Sequence, residues 1–85
     1  MAYKIEFSPR ADRQFRDLPQ KAQARLKPRI DALTNNPRPR GVEKLQGEDN
    51  FYRIRIGDYR IIYQVQDKAL LILVVKIGHR RDIYR

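Results

Sequence analysis

Arginine is the side chain with the most chemistry to offer in this sequence. Arg53, Arg55 and Arg60 fall within one short stretch, and Arg80 and Arg81 follow near the end of the chain. A guanidinium presents a planar fork of donors that matches two phosphate oxygens at once, and it does not lose its charge in proteins. Rings accompany these cations: Phe51 precedes the first three, and Tyr84 follows the last two. Flat side chains stack on unpaired bases while cations hold the backbone. His79, the only histidine, adjoins Arg80. Imidazole titrates nearest neutral pH, which makes His79 a candidate for moving a proton, although a surface or capping role suits a lone histidine equally well.

Other chemistries lack their parts. The sequence has no P-loop, no metal-ligand spacing and no nucleophile beside a base. Ser8 is the only serine and is better explained as a helix cap. The acids are scattered, with no carboxylate cluster suited to magnesium. Neither a metal nor a cofactor is expected.

The whole-chain charge points the same way. Lys and Arg number 19 against 10 Asp and Glu, a formal net charge of +9 over 85 residues. An excess of that density favours polyanionic partners, chiefly nucleic acid, although an acidic protein or an anionic membrane surface would also satisfy it. The length sets one domain over 1–85. The absence of cysteine excludes disulfides and thiolate metal sites. The N-terminal residues lack the apolar run of a signal peptide, and the longest apolar run, Ala69 to Val75, is too short to span a membrane. A cytoplasmic protein is expected.

The elements that must position the arginines follow from periodicity. Tyr3, Ile5 and Phe7 alternate with Lys4 and Glu6, the pattern of a strand buried on one face. Ser8-Pro9 reads as an N-cap with proline at the first helical position, followed by Ala11, Phe15 and Leu18 at helical spacing. Ala22, Leu26, Ile30 and Leu33 mark a second helix, which Pro28 should kink or interrupt. Asn35-Asn36-Pro37 ends it, and a basic loop follows at Pro37 to Gly41. Phe51 to Ile56 and Tyr59 to Gln66 alternate as strands. Ala69 to Ile77 is nearly continuously apolar, as a central strand buried on both faces would be, and Gly78 should break it. The predicted class is α+β, in the order β-α-α-β-β-β. An N-terminal strand and a two-helix hairpin pack on one face of an antiparallel sheet.

Gly57-Asp58 has the composition of a two-residue hairpin turn with glycine first, and such a turn fixes a register. Ile56 then pairs with Tyr59, Arg55 faces Arg60, Ile54 faces Ile61 and Arg53 faces Ile62. Tyr52, Ile54, Ile56, Tyr59, Ile61, Tyr63 and Val65 turn toward the helices. Phe51, Arg53, Arg55, Arg60, Ile62 and Gln64 turn away. Like charges directly opposite on a sheet are destabilising, so a pattern selected for folding alone has easy alternatives at these positions. A phosphate-binding face accounts for the arginines; so does a solvated face with arginine stems lying over apolar surface. The end of the last strand should bring Arg80 or Arg81 to Arg55 and Arg60.

At these residues the chain resembles a family. Tyr52 to Tyr63 is similar to the central hairpin of RelE-type toxins, and Gly78 to Tyr84 to their C-terminal signature. Phe7 to Ala11, and Lys44-Leu45 before Gly47, fit as well. The resemblance to the RelE/ParE superfamily covers essentially the whole chain and lies closest to the RelE branch. It implies the same α+β fold and a cognate RelB-like antitoxin as partner. It also implies entry into the ribosomal A site, where the messenger RNA is cut without metal by attack of its own 2′-hydroxyl. By position, Arg53 and Arg55 match two basic residues of the first hairpin strand, and Arg60 the phosphate-binding arginine. Arg80 matches the arginine after the last strand, and Tyr84 the terminal tyrosine. With His79 added on its titration, the candidate catalytic set is Arg55, Arg60, Arg80, Tyr84 and His79, and Phe51, Arg53, Arg55 and Arg81 are the candidate RNA-binding residues. Some relatives carry lysines where this chain has Arg53 and Arg55. Arginine does not deprotonate, so Tyr84 or His79 is the expected proton acceptor. An acidic antitoxin segment is expected to cover part of the sheet or displace the Tyr84 tail.

Three other functions compete. ParE-like relatives share the fold and act on DNA gyrase; their lack of the basic set separates them. A non-catalytic RNA-binding module would use the same arginines and release RNA intact. A protein-interaction domain would bind an acidic partner and show negligible RNA affinity.

Overall fold

The computed structural model describes residues 2–47 and 49–79. β1 (Lys4–Phe7) exposes Lys4 and Glu6 and half-buries Ile5 and Phe7, as its alternation requires. Ser8 ends it and starts α1 (Pro9–Arg16). Its backbone is extended at φ −63 and ψ 159, its side-chain oxygen accepts from the Ala11 amide at 3.1 Å, and Pro9 fills the first helical position. This is the cap that serine and proline dictate. α2 (Gln20–Ala32) follows at once, and the Gln23 side-chain amide ties the corner by donating to the Leu18 and Arg16 carbonyls at 2.9 and 3.2 Å. α2 runs through Pro28 without interruption. Pro28 lies on the exposed side, where the bond its missing N–H would have made is the principal loss.

Five strands form one sheet in the order β1-β5-β4-β3-β2, completed by β2 (Glu43–Lys44), β3 (Phe51–Ile56), β4 (Tyr59–Gln66) and β5 (Leu71–His79). The β3–β4–β5 meander is antiparallel, as expected. β1 joins its edge in parallel with β5, so the sheet is mixed. β2 was not anticipated. Two residues carry no readable alternation, and only its pairing with Arg53 and Tyr52 makes it a strand.

The helices cover one face. Ala11, Leu26, Ile30 and Leu33 meet Tyr52, Ile54, Ile56, Ile61, Tyr63, Val65, Ile72, Val74 and Ile77 in a single cluster. β5 is central but buried on one face only: Leu71, Leu73 and Val75 are half-buried on or beside the other. Nor does Gly78 break the strand, which continues to His79. At its start, Ala69 and Leu70 belong to the turn, with Leu70 at φ 50.

β5 carries a bulge. Ile62 pairs with Lys76 but Tyr63 pairs with Val74, which leaves Val75 as an extra residue. Without it, Ile77 and Val74 would point to opposite faces; with it, both are buried. The irregular backbone is satisfied by α1 and its cap. The Ser8 amide donates to the Val74 carbonyl at 2.8 Å, and the Ser8 hydroxyl donates to the Val75 carbonyl at 3.3 Å. The Ile77 amide donates to Gln14 Oε1 at 2.7 Å.

The end of the sheet away from Gly57 is clamped by the basic loop after α2. Arg38 donates to both carboxylate oxygens of Asp67 and, through Nε, to the Tyr52 hydroxyl at 2.8 Å. Tyr3 donates to Asp67 at 2.6 Å, and Tyr63 donates to the Pro37 carbonyl at 2.7 Å. Burial pushes the Tyr63 hydroxyl well above its ordinary range. The Arg38 guanidinium, and then the Tyr3 hydroxyl, hold the Asp67 carboxyl below its usual value. A carboxyl whose pKa falls on folding stabilises above its unfolded value, roughly 3.9, and loses that contribution as the pH drops through its folded value. Asp67→Asn should therefore unfold in less urea than the wild type at pH 6. The gap should close below about pH 4. A gap unchanged from pH 6 to pH 2 would contradict this account.

Candidate nucleic-acid interface

The turn at Gly57-Asp58 gives the hairpin the register its composition dictates. Gly57 sits at φ 60, while Asp58 is not in the left-handed region, the pattern of a glycine-first two-residue turn. Ile56 pairs with Tyr59, Arg55 with Arg60, Ile54 with Ile61, Arg53 with Ile62 and Phe51 with Gln64. Arg53, Arg55 and Arg60 therefore share the sheet face that the helices leave open.

Their surroundings differ. Arg55 is exposed, its Nε 3.4 Å from the Gly57 carbonyl. Arg53 is half-buried and held by a carboxylate: its Nε and Nη2 donate to Glu43 Oε1 at 3.2 and 2.8 Å. That pairing exists because β2 places Glu43 opposite Arg53. Arg60 is only 4 % exposed. Gly78 is its partner on β5 and has no side chain to contest the space. A guanidinium this deep has lost most of its water, and a charge in low dielectric interacts strongly with whatever anion reaches it.

The bulge adds a cation that the sequence reading passed over. Lys76 faces the open side across from Ile62, diagonal to Arg60. In the sequence it is a lone charge inside an apolar run, and only the extra residue at Val75 turns it toward the arginines. Phe51 is half-buried on the same face beside Gln64. Toward β1 the arginines give way to Ile62, Leu71 and Leu73 among Gln64 and Gln66, all half-buried. At the edge, Lys4 and Glu6 pair with each other beside Leu71 and Leu73. Cations thus crowd the hairpin end, and an apolar strip runs beside them.

His79 is not brought to this face. Its cross-strand partner is Tyr59, and its ring meets the Tyr59 ring edge-on at 5.6 Å, on the side toward the helices. Period-two alternation from Gly78, which faces Arg60, puts it there. Arg80, Arg81 and Tyr84 lie outside the described residues. Among the described residues no cluster of three or more His, Cys, Asp or Glu could hold a metal, and no helix is long and apolar enough to cross a membrane.

Comparison with known proteins places these features in context. The family model described as the ParE toxin of the type II toxin–antitoxin system parDE matches residues 5–84. Putative toxin RelE1 of Methanocaldococcus jannaschii is 32% identical over 88 residues, covering 100% of this chain and 98% of its own. The mRNA interferase toxin RelE of Escherichia coli is 32% identical over 82 residues, covering 94% of this chain and 85% of its own. The toxin in the crystal structure of the intact E. coli RelBE toxin–antitoxin complex superposes with a TM-score of 0.82 at 30% identity, over 92% of this chain and 96% of that one.

The Arg55–Arg60 pair should be a burden on the fold. Like charges directly opposite on a sheet cost roughly 0.2–1 kcal/mol. Arg55→Thr should accordingly raise stability by that amount in urea unfolding. A variant that loses stability would show that Arg55 is held by structure instead.

Proposed function

Because the chain belongs to the RelE/ParE family of type II toxins, on its RelE side, we propose that it is a ribosome-dependent messenger RNA interferase restrained by a RelB-like antitoxin. The observation that carries this reading is the register that sets Arg55 against Arg60 on the uncovered sheet face. Like charges facing one another are costly to a sheet, and a phosphodiester between the two guanidinium groups would relieve that cost.

The chemistry needs no metal. The messenger's 2′-oxygen attacks the adjacent phosphorus, the bond to the 5′-oxygen breaks, and a 2′,3′-cyclic phosphate and a free 5′-hydroxyl remain. Arg60, buried and fixed, stabilises the charge that builds on the non-bridging oxygens, and Arg55 and Arg80 hold the strand. Arg53 and Arg81 extend the contact along the backbone, and Phe51 offers a face for a base. Tyr84, as its phenolate, takes the 2′-hydroxyl proton, which then passes to the departing 5′-oxygen. The position of His79 across the sheet argues for Tyr84 over His79 in that role. An acidic antitoxin segment would find cations at the hairpin end and apolar Ile62, Leu71 and Leu73 beside them, a surface that a disordered segment can fold upon.

Purified protein free of antitoxin should cut a defined messenger within the A-site codon of a programmed ribosome, in buffer without added metal. Arg60→Ala should lower the rate by about 10²–10³, as loss of one electrostatic stabiliser does elsewhere. Tyr84→Phe should be slow and His79→Gln near wild type; full activity in both would remove the proton-transfer role. An intact messenger would overturn the nuclease reading. Inhibition of DNA gyrase by the same preparation would then place the chain with the ParE-like toxins.

A further inference from the structure

The helix side of the same hairpin carries a second cationic site. Pro19, Lys21, Ala22 and Arg25 of the α2 end and Tyr59 of β4 line an open groove of about 420 Å³. Arg25 reaches across it to the turn. A Cβ built on Gly57 would lie 2.8 Å from the Arg25 Cζ and 2.9 and 3.0 Å from its two terminal nitrogens, so the guanidinium rests on the glycine itself. Asp58 adjoins this contact, yet among the described residues neither Lys21 nor Arg25 is within ion-pair distance of a carboxylate. Elsewhere on the helices, Arg16 and Lys27 have Asp12 and Asp31 one turn away. The Tyr59 ring forms one wall, and His79 meets it edge-on from β5.

Position distinguishes this groove from a general basic surface. Tyr59 and Arg60 are consecutive and point to opposite sheet faces. Ile56, Arg55 and the turn complete the same tip. Cations therefore flank one narrow edge: Arg55 and Arg60 on the open side, Lys21 and Arg25 on the helix side. A phosphate chain held by the first pair and passing over Gly57-Asp58 meets the second pair at once.

We infer that the Lys21–Arg25–Tyr59 groove is a second RNA-backbone site. It would hold a phosphodiester with its two cations and set the ribose or base against the Tyr59 ring. The inference rests on the RNA reading above and extends it from one face of the hairpin to both. The phosphodiester belongs either to the messenger strand leaving the codon or to ribosomal RNA, and these sources separate experimentally.

The test is the salt dependence of binding. Each phosphate contact on single-stranded RNA contributes about 0.7 to the slope of log affinity against log salt. Lys21→Gln with Arg25→Gln, both on exposed helix positions, should melt like the wild type and lose about 1.4 from that slope. The full slope should return with Lys21→Arg and Arg25→Lys. A loss seen with a free single-stranded oligonucleotide assigns the messenger strand. A loss seen only with vacant ribosomes assigns ribosomal RNA. If the wild type binds RNA or ribosomes and the glutamine variant keeps the full slope on both, the groove is no RNA site while the nuclease reading stands. A loss that the charge-preserving variant does not restore also overturns the inference, as does one confined to a polyglutamate probe, which would mark an acidic protein partner. Wild-type protein that binds neither RNA nor ribosomes would overturn this inference and the nuclease reading together.

Discussion

The turn at Gly57-Asp58 governs what each face of this sheet can do. Two residues leave the strands no freedom of register, and a slip of one would exchange every inward side chain for an outward one. With the observed register, Tyr52, Ile54, Ile56, Ile61 and Tyr63 enter the core, and Arg53, Arg55 and Arg60 are turned out. Burial of five large apolar or aromatic side chains far outweighs the repulsion between two facing arginines. The core can thus impose a charge arrangement that the sheet surface would not adopt by itself. Gly57 serves this arrangement twice, through its positive φ and by admitting the Arg25 guanidinium at contact distance.

Where local chemistry was decisive, the sequence could be read directly. Ser8-Pro9 set the start of α1, and Gly57-Asp58 set the hairpin register residue by residue. The RelE/ParE resemblance carried by the hairpin and tail agrees with the family match and the superposition. What stayed hidden depends on partners distant in sequence. β2 is too short to show a period, so the claim of Glu43 on Arg53 was invisible. The bulge at Val75 is a tertiary solution to keeping Val74 and Ile77 inside together. Nothing in an apolar run announces it, and Lys76 was overlooked for that reason. Arg60 was placed on the correct face, but its burial was not legible, since neighbours and not residue type decide it. The nomination of His79 beside the arginines treated nearness along the chain as nearness in space, and alternation across Gly78 separates them.

Two ends of the sheet now have different characters. Around Asp67 the charges are satisfied, with Arg38, Tyr3 and Tyr52 in a connected set of hydrogen bonds. Around Gly57, cations gather on both faces with few acids among them. A net charge of +9 gives the chain a long-range attraction for polyanions.

The parallel pairing of β1 with β5 bears on folding. Lys4 to Phe7 pair with Leu71 to Val74, which lie far along the sequence. Parallel neighbours that far apart must close a long loop before any contact rewards it. Until β5 docks, the sheet is unfinished, and Ile5 and Phe7 have no strand beside them. β5 is also the strand that sets Gly78 beside Arg60. Completion of the fold and completion of the cationic face therefore arrive together, in one slow step.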